Sequence, residues 1–152
     1  DLIHVGYAGG LQPELVPGEI ILTDGAFNDT AVARLYGYDY DIIHSSKDLT
    51  NEIEEMITSA EILYKRGIHW TTDAGYRETW GQVMDYRDKG ALCVEMEGVG
   101  LFTIANYRKC VATGIYVVSD VYLEDDWKLG WEGNDIKKAV GEIIDMIIKS
   151  IR

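Results

Sequence analysis

The chain is short of cysteine, of basic residues and of long apolar runs, and each shortage removes a class of protein. Two cysteines, Cys93 and Cys110, are too few for a disulfide framework. Both stand in apolar sequence surroundings, which reads as two buried free thiols in a reducing compartment. Lys and Arg number 14 against 26 Asp and Glu, and the net charge of −12 repels a nucleic-acid backbone and an anionic membrane surface. Neither nucleic acid nor membrane is expected as a partner. No run of eighteen apolar residues occurs, and Asp1-Leu2-Ile3-His4 lacks the basic head and long apolar middle of a signal peptide, so a cytoplasmic location is expected. Internal repeats and low-complexity segments are missing too.

What is present is the material of an ordinary globular domain: 152 residues, 47% hydrophobic and 26% charged. Strand and helix patterns alternate along the chain, which predicts an α/β fold of three layers, a central mostly parallel or mixed sheet flanked by helices. Leu2 to Val5 reads as the tail of a buried strand entering a loop, Gly6-Tyr7-Ala8-Gly9-Gly10, whose glycines allow a sharp turn and a close approach to a ligand. Pro13, Pro17 and Gly18 punctuate the route to a strand at Glu19 to Thr23, followed by an acidic loop. Residues 34–46, with alternating tyrosines, fit either a strand or a tyrosine-rich surface. From Asn51 a helix is predicted, with Asn51 and Glu54 as a capping box and Gly67 as its end. A strand from Gly67 to Thr72, a helix from Arg77 to Asp88 closed by Gly90, and a strand from Cys110 to Val118 follow. The loop from Tyr122 to Gly133, carrying Trp127 and Trp131, reads equally as a lid or subunit contact and as a packed surface loop. A last helix presents Ile136, Val140, Ile143, Ile144, Ile147 and Ile148 as one stripe.

The chemistry concentrates between Leu92 and Asp120. Glu95 and Glu97 flank Met96 where an apolar segment becomes a helix, and Ser119-Asp120 ends the run Ile115-Tyr116-Val117-Val118. Carboxylates at such element edges face the cleft where α/β proteins keep ligands. Taken alone, each piece is also an ordinary helix start or turn.

In this order, Val94-Glu95-Met96-Glu97, a helix with Leu101, Phe102 and Ala105, and Val117-Val118-Ser119-Asp120 resemble the purine nucleoside and uridine phosphorylase family, the nucleoside phosphorylase-I superfamily. The resemblance extends to Gly6 to Pro13, to Gly18-Glu19-Ile20-Ile21 and to Thr72 to Thr79, and so covers nearly the whole chain. It implies an enzyme that cleaves the N-glycosidic bond of a purine nucleoside with phosphate as co-substrate, with no other cofactor and no metal, working as a homo-oligomer. By the same resemblance Glu97 accepts hydrogen bonds from the ribose hydroxyls, Met96 packs on the sugar, Glu95 makes a secondary ribose contact and Asp120 is catalytic at the leaving purine. Thr72, Asp73, Tyr76 and Ser119 are the implied base-binding residues, and Gly6, Tyr7 and His4 the implied phosphate-binding ones. Family members carry a substantial portion ahead of the glycine segment, so residues 1–152 are expected to be one α/β domain, the carboxyl-terminal part of a longer chain.

Two departures qualify this expectation. Where the family has an arginine and a serine or threonine for phosphate, this chain has His4 and Tyr7, and where it has an aromatic at the base pocket this chain has Gly75. A nucleosidase of the same superfamily, which uses water, therefore stays open, as does a non-catalytic nucleoside-binding relative.

Overall fold

The computed structural model describes residues 1–123, 127–130 and 133–150. Seven strands and five helices succeed one another: β1 (Leu2–Gly10), β2 (Ile20–Asp29), α1 (Val32–Leu35), β3 (Ile42–His44), α2 (Lys47–Ser59), β4 (Lys65–Thr72), α3 (Trp80–Asp88), β5 (Cys93–Glu95), α4 (Gly98–Arg108), β6 (Ala112–Tyr122), β7 (Trp127–Leu129) and α5 (Asn134–Ser150). The strands form one mixed sheet in the order β3-β2-β4-β5-β1-β6-β7. Because β2 also pairs with β6, the sheet curls until β2, β4, β5, β1 and β6 close a ring. Pairs β1–β6, β2–β4 and β4–β5 are parallel, while β1–β5, β2–β3, β2–β6 and β6–β7 are antiparallel.

Strand periodicity sorts the core. Along β6, Ile115 and Val117 face α2 and α5, joining Ile20, Ile53 and Ile143, while Tyr116 and Val118 face the other way with Ala8, Ile21 and Cys93. Covered on both faces, β6 is buried from Ala112 to Val121, as its apolar run foretells. A third cluster seats α4 through Val99, Phe102 and Ala105, and a fourth seats α3 through Val83 against Trp70 and Val94.

Several expectations need correction. The glycine segment is no loop: β1 continues through Gly10, paired in parallel with β6 along its length. None of its glycines has a positive φ. They supply room instead, since a Cβ on Gly9 would lie 3.0 Å from the Tyr122 ring and 3.3 Å from an Asp120 carboxylate oxygen. The acidic stretch after Thr23 belongs to β2, which continues past a register shift at Gly25. Residues 34–46 hold the end of α1 and the short β3, and of the two open readings the tyrosine-rich surface stands, with Tyr36 and Tyr40 exposed. Helix α2 starts after Ser46, not at Asn51, and stops at Ser59. Gly67 lies inside β4, where a Cβ would meet the Leu92 side chain at 2.9 Å. Gly75–Arg77 form a single 3₁₀ turn, and α3 begins only at Trp80, capped reciprocally by Thr79 and Gln82. On α5 the buried residues are Ile136, Ala139, Ile143 and Met146, whereas Ile144 and Ile148 are exposed. Cys93 is buried but Cys110 is exposed, so only one thiol meets the expectation. Asp120 sits within β6 rather than after it, because the strand runs on to Tyr122 and pairs with β7. Trp127 opens β7, and Trp131 lies outside the described residues.

Candidate active site

Parallel strands β4 and β5 lie side by side, Trp70 opposite Val94 and Thr71 opposite Glu95. Their carboxyl ends therefore deliver Thr72-Asp73 and Glu95-Met96-Glu97 to one edge of the sheet, the usual ligand edge of an α/β fold. Helix α4 starts there, with Glu97 as its N-cap residue. A cavity of about 550 Å³ opens at this edge, lined by His4, Thr30, Val32, Asp73, Met96, Glu97, Gly100 and Leu101. A larger groove of about 1060 Å³ between α2 and α5 contains none of the predicted site residues.

Glu97 and Met96 are exposed toward solvent, and the Glu97 side chain makes no capping bond to its helix. Glu95 takes over that function. Its side chain, 1% exposed, accepts the backbone N–H groups of Glu97 at 2.9 Å and Gly98 at 2.8 Å through one carboxylate oxygen. The other oxygen accepts the Thr71 hydroxyl and lies 3.0 Å from His69 Nε2. Burial pushes the Glu95 carboxyl up, but the His69 ring, the Thr71 hydroxyl and the Glu97 amide outweigh it and hold it below the ordinary value. Glu95 is thus engaged by its own chain, while Glu97 keeps its carboxylate at the cavity.

His4 leaves β1 toward the cavity, its ring edge-on to Tyr116 with centroids 5.5 Å apart and Nδ1 3.3 Å from the tyrosine oxygen. Asp73 lines the same cavity and accepts the Ala31 N–H at 3.0 Å. Thr72 is buried, its hydroxyl oxygen 3.3 Å from the Ala74 N–H that it accepts.

A second group gathers over Gly9. Ser119 donates to Asp120 at 2.5 Å, and both are buried. Tyr122 donates to Glu78 at 2.7 Å. Burial raises the Glu78 carboxyl, the Tyr122 hydroxyl lowers it, and the Asp120 charge raises it further, for a net upward shift. Burial also raises the Tyr122 phenol, as does its bond to Glu78. Gly75 joins the two groups: a Cβ there would lie 3.4 Å from both the Glu78 carboxylate and the Met96 sulfur.

The structure therefore brings His4, Asp73, Met96 and Glu97 onto one cavity, with Ser119 and Asp120 in the neighbouring group. It does not bring Tyr7 to His4. Tyr7 stands three positions along β1, so its side chain leaves from the opposite face, and it is 47% exposed. Gly6 packs beneath His4, whose ring carbon would be 3.2 Å from a Cβ there. Tyr76 projects fully into solvent. Among the residues not singled out from sequence are His69, Thr71 and Glu78. The legible signal for the first two was polarity at i and i+2 in an otherwise buried strand, which puts both on one face.

The Phosphorylase superfamily model matches residues 1–149. The chain is 33% identical over 122 residues to a DeoD-type purine nucleoside phosphorylase of Exiguobacterium sibiricum, covering 79% of this chain and 52% of that protein. It is 30% identical over 121 residues to the Bacillus cytotoxicus protein of the same name, again over 79% and 52%. The chain thus spans about half the length of the curated relatives it matches. Among solved structures it superposes on the purine nucleoside phosphorylase of Toxoplasma gondii in complex with immucillin-H, with TM-score 0.84, 19% identity and 97% and 60% of the two chains covered. The Plasmodium knowlesi homologue of the Plasmodium falciparum enzyme gives TM-score 0.80 at 21% identity, over 97% and 59%. At these identities the two structures speak to the fold.

Proposed function

This chain belongs to the Phosphorylase superfamily, and from that premise we propose that its cavity holds the ribose of a purine nucleoside whose N-glycosidic bond is cleaved with phosphate. The observation that carries the reading is the joint placement of Met96 and Glu97 on one cavity wall, with the Glu97 carboxylate not committed to its helix. An ionised carboxylate is a strong acceptor for two neighbouring hydroxyls, and a thioether packs well on the apolar face of a sugar. Bond cleavage builds positive charge on the ribose and negative charge on the base. Glu97 and Asp73, both at the cavity, favour the first. Asp120, oriented by the Ser119 hydroxyl, serves the second by sharing a proton with the departing purine. In this reading Glu95 acts through the Met96-Glu97 backbone rather than on the sugar, phosphate is the co-substrate beside His4, and no metal or other cofactor takes part. The protein works as a homo-oligomer in the cytoplasm; among the described residues, no helix is long and apolar enough to cross a membrane.

One observation favours hydrolysis as the second reading: the described cavity lining contains no lysine or arginine, so an attacking anion meets Asp73 and Glu97 with only His4 to balance them. Calorimetric titration with adenosine and with 2′,3′-dideoxyadenosine tests the ribose assignment. Adenosine should bind more tightly by about tenfold or more, the value of a charge-assisted hydrogen bond. Equal affinities would remove Glu97 from the ribose.

A further inference from the structure

His69 is fully buried at the centre of β4, yet no step of the proposed cleavage uses it. Its surroundings are specific. Nδ1 lies 2.6 Å from the Thr23 hydroxyl and Nε2 lies 3.0 Å from the Glu95 carboxylate. Tyr116 covers the ring at a centroid distance of 4.8 Å, and Phe102 stands edge-on at 6.3 Å. An ionised carboxylate only accepts, so Nε2, which faces it, is the donor of that pair; Nδ1 lies against the Thr23 hydroxyl, which also donates to the Gly25 carbonyl at 2.8 Å. The link from His69 to Glu95 thereby has a direction. It ends on Glu95, whose other oxygen accepts the Glu97 and Gly98 amides.

This arrangement replaces an ordinary N-cap. The side chain of an N-cap residue usually accepts from its own first turn, which here would draw the Glu97 carboxylate away from the cavity. Moving that task to Glu95 leaves Glu97 unengaged by its helix, but only if the Glu95 carboxylate is held at the correct rotation about its terminal torsion, which is soft. The Thr71 hydroxyl and His69 fix one oxygen, and so aim the other. The helix start packs closely on the ring: a Cβ at Gly98 would lie 2.6 Å from His69 Nε2 and 3.0 Å from the Glu95 carboxylate, so only glycine fits there.

We propose that His69 is a positioning residue: by donating to Glu95 it sets the backbone of Met96, Glu97 and Gly98, and through that backbone the place of the Glu97 carboxylate. The consequence for a ligand rests on the reading that Glu97 holds ribose; the consequence for the backbone does not.

Two amides differing by one methylene separate positioning from mere packing. In His69→Gln the amide nitrogen takes the place of Nε2 and still donates to Glu95. In His69→Asn the side chain still reaches Thr23 but falls short of Glu95. Amide hydrogen exchange followed by NMR should show selective loss of protection at Glu97 and Gly98 in His69→Asn, with the amides of β4 and β6 unchanged, and near-normal protection in His69→Gln. Adenosine affinity should fall between about 10- and 100-fold in His69→Asn, as expected for a misplaced binding group, and recover in His69→Gln. Equal protection at Glu97 and Gly98 in both variants, or a loss spread uniformly over the sheet, overturns the proposal. Should His69→Asn not fold, Thr23→Val, which removes the partner of Nδ1, is read by the same exchange experiment with the same two outcomes. If the unaltered chain binds no adenosine, the exchange result still decides the role of His69, and only the ribose reading falls.

Discussion

Replacing Glu95 by leucine, close in volume but without acceptors, tests whether a buried carboxylate organises the ligand edge of the sheet. Four donors lose their partner: the Glu97 and Gly98 amides, the Thr71 hydroxyl and His69 Nε2. They do not all stay orphaned. The Thr71 hydroxyl lies 3.3 Å from His69 Nε2 and pairs with it once the ring proton moves to Nδ1, and the amide of exposed Glu97 reaches water. The Gly98 amide is buried and finds neither. One unsatisfied buried donor costs about 1–3 kcal/mol, and each lost hydrogen bond to a charge about 1.5–3 kcal/mol, part of which is returned because a charge no longer has to be buried. A net loss of about 2–4 kcal/mol follows, a large share of a typical domain's stability. For a chain of this length that lowers the melting temperature by about 5 to 15 °C. Urea unfolding followed by far-ultraviolet circular dichroism measures it. The pH profile gives a second reading: the folded Glu95 pKa lies below its ordinary 4.5, so its contribution is present above 4.5 and disappears as pH falls through the lower folded value. Glu95→Leu should lack that part of the acid loss. A loss of stability below about 1 kcal/mol, with an unchanged acid profile, would refute the reasoning.

Glu97→Ala should leave stability within about 0.5 kcal/mol, since the residue is exposed and caps nothing, while weakening adenosine binding by about 1.5–3 kcal/mol in calorimetry. Asp120→Asn should lower turnover of a purine nucleoside by about 10²- to 10⁴-fold in steady-state kinetics with little change in KM, and much less for a nucleoside whose base already leaves easily. Equal losses for both substrates would make Asp120 a structural residue of the group over Gly9. For Glu78 the sign is opposite to that of Glu95: burial raises its folded pKa, so its contribution is present below 4.5 and lost as pH rises through the higher folded value. Glu78→Gln should therefore flatten the fall in melting temperature on going from acid to neutral pH, and an unchanged profile would contradict that assignment.

The alternation of strand and helix and the order of the carboxylates were legible in the sequence because both rest on local periodicity. Strand β6, the Glu95-Met96-Glu97 segment and α4 lie close to where patterning alone put them. The glycine segment of β1 misled for a physical reason. Glycines that make room for Asp120 and Tyr122 look the same in sequence as glycines that make a turn, and only the partner strand tells them apart. Closure of the ring was equally hidden, since the β2–β6 pairing joins segments 93 to 97 residues apart, from Leu22 with Ile115 to Ile20 with Val117. At the site, the resemblance gave both Glu95 and Glu97 to the ribose, Glu95 as the secondary contact. Their opposite fates, one buried and bonded to four donors and one open to the cavity, depend on His69 and Thr71 from another strand.

Product analysis tests the proposed reaction most directly. The chain is incubated with inosine, with and without inorganic phosphate, and free base and sugar products are separated and quantified. Phosphorolysis at the His4–Glu97 cavity predicts hypoxanthine and ribose 1-phosphate in equal amounts, formed only when phosphate is present. Hypoxanthine with free ribose at a rate independent of phosphate, or inosine bound and recovered intact, would contradict it.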